Sequence, residues 1–431
     1  MKWFNVDFRF HNVGQGLFYT GKLKYGKASF TLVYDCGSEK VSLVNNAIAR
    51  KFRRGNRVDL LIISHLHKDH ANGIPYLLKR TRVRTVILPY LSPLERLIVA
   101  LATPFASREY YDFLADPVTY LIDNHVERVM LVGGEEPDRR ENWVPPFEEP
   151  LDLPFDGRFE LMIDELPPYE KLAEYIEKEE NIDTKLFEDG RVEVRNHVGV
   201  LKVSLDGIPI WTFRFFNHKV EKALPEFKDC IKKTLGKIDS KRIKDAIKDP
   251  SQRRALKHCY NKLSKNVCHL NNTSLITLHF PIFRPRAINV TFEYFNPLLC
   301  RSNFIYWRWG CPCLLLFKQS ISRFPDFVQF LTGDVDLNYR FNDISQHFGL
   351  GKTITDAIVT LVPHHGSHHN WNNSLCRAIT SDFWIISAGI YNRYGHPSLQ
   401  TLWDICMNCK NSCVVWVNEV TYFRFRGVFE F

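Results

Sequence analysis

Apolar and polar positions alternate along residues 3–10 and again along 17–23 and 30–34, with turn residues Gly14-Gln15-Gly16 and Tyr25-Gly26-Lys27 between them. A period of two sends successive side chains to opposite faces, so these stretches predict three strands. The period then lengthens: Val41, Val44, Ile48 and Phe52 share one stripe of a helix over 40–53. Residues 60–63 form a continuous apolar run, the pattern of a parallel strand covered on both faces. Residues 74–78 predict a short helix and 85–88 another strand. A hairpin layer feeding a strand–helix–strand series fits half of an α/β fold with four layers, αββα.

Three further strands are expected over 328–331, 358–362 and 384–387. The middle of the chain reads differently. It is mostly helical to about residue 130. Residues 135–154 are acidic and Pro-rich, a linker-like composition. Residues 193–215 alternate around Asp206-Gly207 as a hairpin. The division expected is therefore 1–90 and 269–431 as two halves of one catalytic domain, with 91–268 a large α-rich insertion.

Chemistry enters directly after the 60–63 run, where His65, His67, Asp69 and His70 fall within six residues. Ligands in open α/β sheets collect at that carboxyl edge. His65 and His67 can project from one side of an extended loop toward one metal, and Asp69 and His70 from further round the turn toward a second. Imidazole and carboxylate together suit zinc or manganese. The bland alternative is a loop of surface histidines. Asp334, ending the 328–331 strand, can bridge two ions at the ~3.5–4 Å spacing of two-metal hydrolysis; Asp336 is the poorer candidate. Histidines 364, 365, 368 and 369 are too many for a purely structural loop.

His-x-His-x-Asp-His is the hallmark of the metallo-β-lactamase fold. Asn12-Val13-Gly14-Gln15-Gly16, Tyr34-Asp35-Cys36-Gly37-Ser38, Leu331-Thr332-Gly333-Asp334, Val362-Pro363-His364-His365-Gly366-Ser367 and Asn392-Arg393-Tyr394-Gly395-His396-Pro397 follow in family order. On these residues the chain resembles the ComEC-type branch, whose best-known members carry a nuclease domain for DNA uptake. The resemblance covers residues 8–90 and 270–400. It implies an αββα four-layer metallo-β-lactamase sandwich holding two divalent metal ions, Zn2+ or Mn2+. His65, His67 and Asn271 would hold one, Asp69, His70 and His365 the other, with Asp334 bridging. Asp35 would orient the histidine loop through hydrogen bonds rather than bind metal. Much of the superfamily has a histidine where this chain has Asn271 and Ser274 at the ComEC-type spacing; His269 is the alternative ligand, at the wrong offset. Family members place the ligand second after proline, which selects His365 and leaves His364, His368 or His369 to face substrate. His396 would contact phosphate or protonate a leaving group. The catalytic set implied is Asp69, Asp334, His364 and His396.

The net charge is +9. Between Lys219 and Lys265 there are fifteen Lys/Arg against six Asp/Glu, an excess equal to the charge of the whole chain. Apolar residues recur there every three or four, so the segment is helical. Lys232, Lys233, Lys237, Lys241, Arg242, Arg253 and Arg254 read either as a nucleic-acid footprint or as a solvated helical face. The aromatics Phe292, Tyr294, Phe304, Tyr306, Trp307 and Trp309 fit base stacking or, by their period of two, strand core. Eleven cysteines in so long a chain read as mostly reduced thiols of a cytoplasmic protein, Cys406, Cys409 and Cys413 among them, buried. No stretch reaches the ~18 apolar residues of a membrane span, and no signal peptide is visible. These features lead to a metal-dependent phosphodiesterase, most simply a nuclease with DNA as the favoured nucleic acid; a part in bacterial defence would suit it. The alternatives are a hydrolase of a small ester, lactone or cyclic nucleotide, and an effector subunit activated by a protein partner through 91–268.

Overall fold

The computed structural model describes residues 3–134, 157–163, 170–180, 182–219, 225–263, 270–282, 287–295, 314–321, 327–409 and 412–430. His269, most of the acidic linker, and the 304–313 aromatics and cysteines lie outside them.

The strands in chain order are β1 (Trp3–Phe10), β2 (Phe18–Tyr25), β3 (Ala28–Cys36), β4 (Asn56–Ile62), β5 (Thr81–Pro89) and β6 (Arg128–Val132). Next come β7 (Phe159–Ile163), β8 (Val192–Arg195), β9 (Val200–Leu205) and β10 (Ile208–Phe216). The last third adds β11 (Ile276–Pro281), β12 (Ala287–Phe295), β13 (Leu314–Ile321), β14 (Gln329–Leu331), β15 (Asp356–Leu361), β16 (Thr380–Ser387), β17 (Cys413–Val417) and β18 (Tyr422–Glu430). They form two sheets, ordered β13-β12-β18-β1-β2-β3-β4-β5-β6-β8 and β17-β16-β15-β14-β11-β10-β9-β7. In the first sheet β3, β4, β5, β6 and β8 run parallel. In the second β14 to β17 do.

The alternation seen in the sequence decides which side is buried. Phe4, Val6, Phe8 and Phe10 of β1 turn toward the second sheet and pack with Trp211, Phe213, Phe327 and Phe425 in the core between the sheets. The strands buried on both faces send Val58, Leu61, Val83 and Val86 the other way, against helices Val41–Lys51, Pro93–Ala102 and Ser240–Lys248. Helices Leu337–Phe348, Ser374–Ala378 and Leu399–Asn408 cover the second sheet. Layers of helix, sheet, sheet and helix result, as expected. Phe292 is buried in the inter-sheet core, the strand reading of that aromatic run.

Two expectations change. Segment 91–268, read as an α-rich insertion, supplies β6 and β8 to the first sheet and β7, β9 and β10 to the second. Its helices lie in the outer layer over the first sheet. The hairpin expected around Asp206-Gly207 is present as β9 and β10; its membership of the second sheet depends on pairing with β7 and β11, which alternation alone does not show. The cysteines also differ: Cys230–Cys259 and Cys376–Cys409 are disulfide-bonded, and Cys406 and Cys413 are exposed. Helix packing brings together pairs 29 and 33 residues apart, which spacing could not show.

His279 of β11 is buried between the sheets, where its Nδ1 accepts the Trp211 indole N–H at 3.2 Å and its Nε2 lies 3.3 Å from the Tyr19 hydroxyl. Burial lowers its pKa from 6.5 to about 3. The unfolded chain takes up a proton there below about 6.5 that the folded chain refuses, so stability falls with pH between those values, by on the order of 4 kcal/mol at the lower end. His279→Asn is expected to cut proton uptake on unfolding near pH 4.5 by about one; denaturant titrations at several pH values measure this.

Candidate metal centre

β3 and β4 lie side by side in parallel, Leu32 against Leu60 and Tyr34 against Ile62. Their carboxyl ends therefore put Asp35 beside Ser64. Asp35 is fully buried and left-handed (φ 54°). Its carboxylate accepts the Ser64 N–H at 2.6 Å, the Ser64 hydroxyl at 2.6 Å and the His70 Nδ1–H at 2.8 Å. The short helix Lys68–Ala71 begins after His67 and carries Asp69 and His70. It lies against Gly37, where a Cβ would come within 2.3 Å of the His70 nitrogen, so only glycine lets the loop approach.

The second sheet supplies the rest. Gly333 (φ 58°) turns the chain after β14 and presents Asp334, whose N–H donates to Ser274 Oγ at 3.2 Å. After β15, His364 and His365 both adopt positive φ, 47° and 55°. His365 donates Nδ1–H to the Ser387 carbonyl of β16 at 2.6 Å, which aims its Nε2 inward. There it lies 3.2 Å from Asp69 Oδ2, 3.3 Å from His70 Nε2 and 3.9 Å from Asp334 Oδ1. Asp334 Oδ1 is 3.2 Å from His70 Nε2, and its Oδ2 is 3.4 Å from His65 Nε2.

Burial opposes charge on every one of these groups, yet their mutual attraction prevails for four of them. His70 is held well above the ordinary imidazole range and His365 is raised, in both cases against burial, chiefly by Asp334. Asp334 and Asp69 are lowered against burial, Asp334 chiefly by His70 and Asp69 chiefly by its bond with His365. Burial wins for His65, which is lowered, and for His67, lowered to about 3. Two buried carboxylates need positive charge beside them, and cations can replace protons in that role.

The donor set fits a cation. The Ser64 hydroxyl spends its proton on Asp35, so at 2.9 Å it accepts from His65 Nδ1–H. That leaves the His65 Nε2 lone pair buried, facing a carboxylate and without a hydrogen-bond donor. Among the described residues, His65, His70 and Asp334 form one group whose ligand atoms lie within 4.8 Å of each other, and Asp69, His70 and His365 form a second. His70 is common to both.

The remaining expected residues fall into three places. His67, Asn271, His364 and His396 line a cavity of about 150 Å3 with Asp69, Asp334 and His365. His67 has its ring 5.0 Å from that of His65 and joins neither group. His364 is fixed by Asn370 Oδ1 at 2.8 Å and lies 3.8 Å from Asp334; His396 stacks on Tyr394 and keeps a buried Nδ1 without a hydrogen-bond partner. His368 and His369 are exposed, and Asp336 caps helix Leu337–Phe348. Of the basic set, Lys232, Lys233, Lys237, Lys241, Arg242 and Arg254 are exposed, whereas Arg253 lies over the Tyr111 ring at 3.5 Å. A larger cleft of about 620 Å3 lies at the other end of β4, lined by Asn56, Arg57 and Asp59, away from these groups.

Sequence reasoning missed the supports. Lys68 pairs with Glu39 at the cavity wall, Tyr394 donates to Glu39 at 3.2 Å, and Tyr110 donates to the Leu66 carbonyl at 2.8 Å. No spacing signal joins residues so far apart. Asp35→Ala strips three buried donors of their acceptor and is expected to cost about 3–5 kcal/mol, read from the denaturant midpoint.

The Metallo-beta-lactamase superfamily model matches residues 26–199. That span holds the histidine loop, while Asp334 and His365 lie beyond it and are brought in by the fold. No curated protein sequence matches the chain. No helix among the described residues is long and apolar enough to cross a membrane. Residues 26–199 carry a domain of the metallo-β-lactamase superfamily, which implies a metal-dependent hydrolase.

Proposed function

We propose that the protein is a metal-dependent phosphodiesterase that cleaves DNA, in the manner of the ComEC-type branch it resembles. The observation that carries the reading is the convergence of three imidazoles and two carboxylates at 3.2–3.9 Å from opposite sheets. His65 and Asp334 would hold one cation and Asp69 and His365 a second, with the single inward nitrogen of His70 serving one of the two and His67 and Asn271 near enough to complete the sets. Divalent zinc or manganese held there supplies a water of lowered pKa and neutralises charge on phosphoryl oxygens.

The protein's own groups do the rest. Asp35 and Ser387 fix the imidazole directions, so no reorientation is required during turnover. His396, lowered to about 4 by burial and then by His365 and His364, is neutral at pH 7. It therefore suits a hydrogen bond to a phosphoryl oxygen better than proton donation. Arg393 and Tyr394 stand exposed at the mouth. Helix Pro250–Lys262 is anchored beside it: Lys257 donates to the Leu101 carbonyl at 2.6 Å, next to the Ala102-Thr103-Pro104 wall. On this reading the basic helices bind a polyanion whose phosphate enters the cavity.

The small cavity favours a second reading, hydrolysis of a small ester, lactone or cyclic nucleotide. Cleavage of labelled single- and double-stranded DNA and RNA with Mn2+, Zn2+ or Mg2+ decides between them. DNA cleavage abolished by chelator and by Asp69→Ala/His70→Ala is expected; inertness toward every nucleic acid alongside ester hydrolysis sinks the nuclease reading. Replacing Lys232, Lys233, Lys237 and Lys241 by alanine is expected to flatten the log–log salt dependence of DNA binding by up to about three units. A small neutral substrate would show no such slope.

A further inference from the structure

Helices Pro225–Leu235 and Pro250–Lys262 pack against one another in the basic outer layer. Their contact brings together Cys230, His258 and Cys259, none of which the chemistry above uses. Cys230 and Cys259 are disulfide-bonded, with Cα atoms 5.7 Å apart. His258 Nε2 lies 3.4 Å from each sulfur. Its Nδ1–H donates to the Ala255 carbonyl at 2.7 Å, which fixes the tautomer and leaves the Nε2 lone pair directed at the two sulfurs. A disulfide sulfur carries no proton, so in this state neither can donate to that lone pair.

Reduction changes what the three side chains offer. Two thiolates and one imidazole nitrogen, with ligand atoms all within 4.8 Å of each other, make a borderline-soft set of the kind zinc takes with a fourth position left to water. The Ala255 carbonyl behind Nδ1 is the outer partner that a metal-bound imidazole ordinarily has. Cys259 is buried in the helical layer and His258 is exposed, so the cluster opens to solvent on one side.

We propose that the dithiol form of Cys230 and Cys259, together with His258, binds one zinc ion, and that disulfide and zinc are alternative staples between the same two helices. The exchange balances. A dithiol reductant gives two electrons and two protons to the Cys230–Cys259 bond and becomes a disulfide itself; zinc then displaces the two thiol protons. The site shares no ligand with the histidine–aspartate centre and stands whether or not the protein cuts DNA.

Cobalt(II) titration of the reduced, metal-free protein tests it. Thiolate ligands give cobalt a near-ultraviolet charge-transfer band that nitrogen and oxygen ligands do not. The band is expected in the reduced protein, to be bleached by zinc, and to be missing after oxidation. Cys230→Ser/Cys259→Ser is expected to lose it and to bind one zinc fewer per chain by mass spectrometry. His258→Ala, which keeps both thiols, is expected to weaken zinc binding by roughly tenfold or more. A reduced protein without the band, a band that persists in the double variant, or zinc affinity indifferent to His258→Ala overturns the proposal; the comparison of oxidised with reduced wild type needs no variant to fold.

Discussion

The Asp35 carboxylate, sealed from water, gives the centre its shape. It takes three donors, and two routes lead from it toward the same place. One runs through the Ser64 hydroxyl to His65, whose Nε2 faces Asp334 Oδ2 without a hydrogen bond; the other runs through His70 to Asp334 Oδ1. A buried carboxylate without donors is costly, so the ends of β3 and β4 must stay in the one arrangement that supplies them. Each ring nitrogen given to Asp35 or Ser64 frees the opposite nitrogen to face inward. Direction, more than residue type, turns three histidines into a possible ligand set.

The helical layer over the first sheet depends on a second polar contact. Arg96 of helix Pro93–Ala102 meets Glu180 at 2.6 Å, both buried, and Lys244 of helix Ser240–Lys248 reaches Asp116 at 2.7 Å and the Glu180 carbonyl at 2.9 Å. Three helices are thereby tied with charges matched inside the layer. Lys244 is used in this way and Arg253 lies over the Tyr111 ring, while Lys232, Lys233, Lys237 and Lys241 remain in solvent. The excess positive charge of the segment is therefore displayed rather than consumed, which is what a polyanion would sense.

Much of this was legible because the signals are local. Alternation located β1 to β3, a double-sided apolar run located β4, and three histidines and an aspartate in six residues marked its end. What was not local depends on the chain folding back. His67 lines the cavity with its ring 5.0 Å from that of His65, yet joins neither group of close ligand atoms. Alternation around Asp206-Gly207 marked the β9–β10 hairpin, but not that it joins the second sheet, and β7 carries no local signal at all. The pairing of Cys376 with Cys409 is likewise a matter of helix contact and not of spacing.

The family match ends at residue 199, yet the centre cannot be confined there. β18 lies between β1 and β12, with Trp3 opposite Glu430, so the two ends of the chain are neighbours in one sheet. The first half alone holds Asp35, His65, Asp69 and His70, but every inward-facing nitrogen among them looks toward Asp334 or His365 on the other sheet. Those partners arrive only when contacts spanning nearly 300 residues have formed, which are the slow ones to close. A cation held between the two sheets would therefore bind the folded chain and stabilise it by mass action.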